Sequence, residues 1–228
     1  MNKMKTSVKS STITPYLAGL CAAVTTCFLA GCSDPSDNVH KSNAADPQKA
    51  AAEPASAGKE YVIRAESTIG FVGSKATGSH DGGFKKFAGK FSVAGGKIVG
   101  APEIKIAIDS TWSDNEKLTG HLKSPDFFDA AKFPTSTFTV TSIEPEGALH
   151  KVTGNLDLHG VTKSISFPAN IQVTDDAVTV KAEFAINRKD FNINYPGRPN
   201  DLIRDNVVLK LDIKATPGAP RPEDQLGS

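Results

Sequence analysis

The stretch VTVKAEFAI, Val178–Ile186, alternates along most of its length. Val178, Val180, Ala182, Phe184 and Ile186 fall on one side of an extended chain, and Thr179, Lys181 and Glu183 on the other. A period of two with one wet face is the mark of an antiparallel strand. The same pattern continues outward in both directions. VVLKLDIKA places Val207, Leu209, Leu211 and Ile213 inward, with Lys210, Asp212 and Lys214 outward. IKIAI lines up Ile104, Ile106 and Ile108, and VTGNLDL lines up Val152, Leu156 and Leu158. Gly95-Gly96, His159-Gly160 and Asp175-Asp176 punctuate the runs as turn signals, giving about eight strands. A sheet of that size must bury its apolar face, as a sandwich or by closing on itself. Closed as a barrel, it leaves an interior that side chains fill or that holds one small ligand. The expected fold is all-β, an eight-stranded antiparallel barrel.

One segment breaks the alternation. SDNEKLTGHLKSPDFFDAAKFP, Ser113–Pro134, offers Ser113 as an N-cap with Glu116 three residues on, a capping box. Leu118 and Leu122 sit four apart. The spacing predicts a short helix from about Asp114 to Lys123, stopped before Pro125 and placed at one end of the barrel as a plug or lid.

The start of the chain reads differently. Lys3, Lys5 and Lys9 precede an apolar run from Tyr16 to Ala30 with no acidic residue before Cys32. The run is shorter than the roughly 20 residues a membrane span needs and suits a signal peptide. It ends in Leu29-Ala30-Gly31-Cys32, which resembles a bacterial lipobox. There the thiol receives a diacylglyceryl group and the chain is cut before the cysteine. Two or three acyl chains hold a protein to a bilayer firmly where one holds marginally. A packed cysteine or a disulfide half is the competing reading. Cys21 and Cys27 would leave with the signal peptide, so Cys32 would have no partner. The expected location is the periplasm, anchored through acylated Cys32. Ser33 after the cysteine favours the outer membrane.

Residues 1–31 are thus read as a lipoprotein signal peptide and 32–58 as a flexible tether, poor in large apolar residues. The barrel domain spans 59–216, and the Pro- and Gly-bearing tail 217–228 reads as loose. Loss of Lys3, Lys5 and Lys9 takes the net charge from +1 to −2. With no basic stripe, nucleic acid is not an expected partner.

Twelve Phe stand against three Tyr and one Trp. The expected pocket lining is Phe71, Phe84, Phe91, Trp112, Phe127, Phe128, Phe138 and Phe184, with core packing competing for part of this set. Polar contacts would come from His80, His121 and Arg188. Arg188 shares the inward parity of Phe184 and Ile186 and so needs an anion. Two readings stay open for it: an ion pair with Asp126 or Asp129, or contact with a ligand headgroup. His80, His121 and His159 show no metal-ligand spacing, and no G-x-S-x-G elbow is present.

Four stretches together resemble the YceI family of bacterial polyisoprenoid-binding proteins. They are STIGFVGSKATGSHDGGFKKFAGKF (Ser67–Phe91), HLKSPDFFDAAKFPTSTF (His121–Phe138), GNLDLHGVTKSISF (Gly154–Phe167) and INRKDFNI (Ile186–Ile193). Asn192 departs from the glycine usual after the last Phe. The resemblance implies a lipocalin-like barrel. Its ligand would be a polyisoprenoid, an isoprenoid quinone or a similar amphipathic lipid, held for transport, storage or sequestration. It implies no cofactor and no catalysis. Two alternatives remain: an envelope enzyme acting on a lipid with His80 and His121 as acid and base, and an interaction module with a filled barrel. A homodimer is left open.

Overall fold

The structure is a computed structural model that describes residues 34–49, 58–224 and 226. The signal peptide and Cys32 lie outside the described residues. The strands are β1 (His40–Lys41), β2 (Lys59–Ile63), β3 (Thr68–Lys75), β4 (Gly78–Phe84), β5 (Phe87–Ala94), β6 (Lys97–Ala107) and β7 (Thr111–Ser113). After the helix α1 (Glu116–Leu122) come β8 (Thr135–Glu146), β9 (Leu149–Leu158), β10 (Val161–Val173), β11 (Val178–Asn187), β12 (Gly197–Arg198), β13 (Asp201–Leu202) and β14 (Asn206–Pro217).

Eight of them close a ring in the order β2, β5, β6, β8, β9, β10, β11, β14 and back to β2. Every pairing in the ring is antiparallel. The strand parity read from sequence holds. Phe184 lies opposite Leu209, Ala182 opposite Leu211 and Val180 opposite Ile213. Phe184, Ile213 and Ala215 are buried.

β2 and β3 run one after the other along the same edge of β14: Ile63 faces Ala215, and Val72 faces Val208. β4 and β5 follow the same course in reverse. The first hairpin therefore bends at Arg64–Ser67 and at Lys85–Lys86, and its outer half, extended by β7, carries the chain to α1. The β9–β10 turn is His159-Gly160, with φ of 54° and 73°. Positive φ at both residues is what a two-residue hairpin turn matching strand twist requires. A Cβ on Gly160 would also sit 2.5 Å from the Phe133 ring.

Two details of the expected helix change. Its N-cap is Asn115, whose side chain accepts from the Leu118 N–H at 3.0 Å. Ser113 is spent in β7, where its N–H donates to Thr119 Oγ1 at 2.8 Å. Asn192 adopts the left-handed conformation (φ 58°) and ends a 3-10 turn at Arg188–Phe191. Asn is among the non-glycine residues that enter this region most readily, so the departure from glycine keeps the corner.

Both flanks differ from expectation. Part of the stretch read as a tether is ordered: residues 34–49 form a belt that starts over the outer face at Val39 and then joins the wall, β1 pairing with β11 and Ala45 with β10. β1 pairs in parallel with β11, the Ser42 N–H donates to the Ala185 carbonyl, and Ala45 bridges Ser164. The Gln48 N–H donates to Asn155 Oδ1. Val39 covers Val72, Ala185 and Val208, outward positions that are apolar. Burying those three offsets the ordering cost that composition alone implied. At the other end, Asp224 folds back on Arg64, with Oδ2 2.7 Å from Nη1 and its carboxylate fully buried. Arg64 also donates to the carbonyls of Thr216, Pro217 and Ala219, so the tail is clasped down to Asp224.

Candidate ligand-binding site

Three apolar clusters fill parts of the barrel. One centres on Phe167, which stacks on Phe184 with centroids 4.0 Å apart, with Phe138 packed beside it. A second holds Tyr61, Ile63, Phe91 and Ile213. The third lies under α1 and holds Phe71, Leu122, Phe127 and Ile193. Certain side chains pack against two clusters at once: Phe84, Leu158, Val180, Leu209 and Leu211. All five are apolar, and all five keep partial exposure, whereas Ile213 (1%) and Phe184 (1%), on the same faces of the same strands as Leu211 and Val180, are sealed. They mark the space between the clusters.

A cavity of about 430 Å³ lies at the α1 end, with Phe71, which packs on Phe84, in its wall. Its apolar lining is Phe71, Leu118, Leu122, Phe127, Tyr195 and Ile203, and its polar lining includes Lys75, His80, Asn115, His121, Arg198 and Asp201. Phe71, Phe84 and Phe128 form a ring cluster beside it, with centroids 5.8–6.3 Å apart. An apolar floor with polar groups at one margin suits an amphipathic molecule.

The polar margin is held in place by contacts to carboxylates. His80 Nδ1 lies 2.8 Å from Asp114 Oδ1, and that contact is the main cause holding the Asp114 carboxyl below its usual range. Lys75 pairs with Asp201 and lowers it in the same way, helped by Thr77. His121 Nε2 lies 2.7 Å from Asp126 Oδ2, and its ring meets Phe127 and Tyr195 edge-on at 4.9 and 5.0 Å. Both imidazoles are thus oriented by carboxylates at the mouth.

Of the residues expected from sequence, Phe71, His80, His121 and Phe127 line the cavity, and Phe84 and Phe128 pack on Phe71 beside it. Phe91, Phe138 and Phe184 lie in the other two clusters as packing. Trp112 is 37% exposed, and neither it nor these three is among the cavity-lining residues. Arg188 is buried, and its partners do not include Asp126 or Asp129. Its guanidinium donates to the carbonyls of Ile193 (2.6 Å), Arg204 (3.1 Å) and Ile203 (3.4 Å), with Asp205 at 3.5 Å. Desolvation lowers its pKa, and Asp205 acts against that shift. Arg188 therefore fixes the loop that carries Tyr195, β12, β13 and Ile203 into the cavity wall. This loop, NYPGRPND (Asn194–Asp201), has no periodicity, so its lining role was hidden in the sequence.

The YceI-like domain family matches residues 61–215. A UPF0312 protein of Pseudomonas putida is 36% identical over 172 residues, covering 68% of this chain and 83% of that protein. A polyisoprenoid binding domain from Saccharophagus degradans has the same fold, with a TM-score of 0.58 at 20% identity over 71% of this chain and 99% of that one. The Campylobacter jejuni YCEI protein gives a TM-score of 0.54 at 25% identity, covering 60% and 85%.

Proposed function

The chain belongs to the YceI-like family, and on that premise we propose that it is an envelope protein that holds a polyisoprenoid or quinone-like lipid inside its barrel. The hydrocarbon chain runs between the three clusters, against Phe84, Leu158, Val180, Leu209 and Leu211. The polar end sits at the mouth among His80, His121 and Lys75. The observation that carries this reading is the set of inward, apolar side chains left partly exposed inside a closed barrel. Each 100 Å² of hydrocarbon placed against them contributes about 2.5 kcal/mol. A lipid long enough to line the passage thus binds tightly without any covalent step, which suits transport, storage or sequestration. The Saccharophagus neighbour, itself a polyisoprenoid binding domain, supports the ligand class. Acylated Cys32 anchors the protein at the periplasmic face of the outer membrane, a reading supported by the Leu-Ala-Gly-Cys sequence.

Extraction of natively purified full chain with organic solvent, followed by mass spectrometry, tests the ligand. The expected result is a long isoprenoid lipid near one per chain. Protein that yields no lipid, and takes up none from a detergent solution of ubiquinone, refutes the proposal.

A further inference from the structure

The belt changes what an anchor at Cys32 would do. Asp34 is the first described residue, and Arg204 Nη1 holds its carboxylate at 3.1 Å. Asp34 also accepts from the Ser36 N–H at 2.9 Å, capping the 3-10 turn Pro35–Asn38. Arg204 directly follows Ile203, a cavity-lining residue, and its N–H donates to the carbonyl of Ser74, another. The whole belt crosses the barrel at this level. Val39 sits over Val72 and Val208, Ala45 meets Ser164 and Gln48 meets Asn155, all near the α1 end of their strands. Two peptide units separate Cys32 from Asp34, so Cys32 lies within about 7 Å of it in any conformation. An anchor at Cys32 would thus be tied two residues from Asp34, which is held by Arg204 beside the cavity wall, and not at the far end of a tether of some twenty-five.

We infer that the cavity mouth faces the lipid surface, with the loop of β12 and β13 against the headgroups, so that a lipid passes between bilayer and barrel without crossing water. This rests on acylation of Cys32. A second observation points the same way. Among the described residues, the exposed large apolar side chains are Trp112, Leu149 and Leu202. Leu202, 56% exposed, sits in β13 between the cavity-lining Asp201 and Ile203. Trp112 sits in β7, which leads into α1. Apolar and aromatic side chains of this kind settle at membrane interfaces. Leu149 begins β9 at the far end, about 30 Å from the mouth at 3.3 Å per residue.

Single-Trp variants of the full chain test this in vesicles of brominated phosphatidylcholine. The chain has one Trp, so Trp112→Phe combined with Leu202→Trp or Leu149→Trp gives one reporter at each end. The expected result is bromolipid quenching several-fold stronger at 202 than at 149. Equal or reversed quenching overturns the inference. A flexible Gly/Ser segment of twenty residues inserted between Ser33 and Asp34 spans about 25 Å, close to the barrel length, and should erase the difference. A difference that survives the insertion upholds the orientation and assigns it to the exposed Leu202 and Trp112 in place of the short link to Cys32. Mass spectrometry of the Cys32 peptide runs beside this. An unmodified thiol refutes both anchor and orientation while leaving the lipid-holding barrel intact.

Discussion

Ala182→Phe tests the hollow barrel directly. Ala182 faces inward on β11, opposite Leu211, and both keep partial exposure beside the Phe167–Phe184 stack. A phenylalanine there has room only if the space between the clusters is open. In an open passage the ring takes the ligand's place. A Phe side chain covers about 150–250 Å², and at about 25 cal/mol per Å² the ligand forfeits roughly 4–6 kcal/mol of contact. That is about a thousand-fold in affinity or more. The folded protein gains apolar burial, so its melting temperature should hold or rise. In a solid interior the same ring overpacks the core, costing about 1–3 kcal/mol. For a chain of this size that lowers the melting temperature by roughly 2–12 °C. Two measurements separate these cases: a thermal melt by circular dichroism, and extracted lipid per mole of protein. Retained stability with lost lipid is expected. Lost stability with unchanged lipid content would refute the reasoning.

Two further outcomes follow from the charged groups. Asp224→Asn breaks a buried pair and should cost about 3 kcal/mol in urea unfolding at pH 7, a loss limited by how readily the tail lifts and rehydrates Arg64. Hydrogen bonds from Arg221 and then Arg64 hold the Asp224 carboxyl far below the usual range, so its contribution is complete above about pH 4 and fades as pH falls further; the gap between variant and parent should narrow over the same interval. Arg188→Met orphans the carbonyls of Ile193, Ile203 and Arg204, at about 1 kcal/mol or more each, and should raise hydrogen exchange across 193–205 and release the lipid; unchanged exchange in that loop would contradict its role.

The barrel was legible because parity is a local property. Val178–Ile186 and Val207–Ala215 each carry the full inside–outside code, and their pairing follows from it. Parity does not report depth along the barrel axis, however. Phe138 and Phe184 point inward as Phe71 and Phe84 do, so aromatic content alone cannot separate packing from cavity wall. Arg188 is buried, but it stands in the 3-10 turn just past β11 and its partners lie in a loop of irregular backbone that no periodicity foreshadows. The belt did leave a trace. Ala185 and Val208 are apolar at outward positions, and such exceptions to alternation signal a covering segment. The composition of 34–49 masked that signal, because the belt contributes little beyond Val39 to the apolar contact and is held mainly by backbone hydrogen bonds.

The ring is sealed by its last strand. β14 serves three neighbours, β2, β3 and β11, and the Arg64–Thr216 contact beside the seam joins positions 152 apart in the chain. Until residue 206 and those after it arrive, all three neighbours present raw hydrogen-bonding edges at the same moment. Such long-range closure is slow, so an interrupted or clipped polypeptide would be adhesive out of proportion to the few residues it lacks.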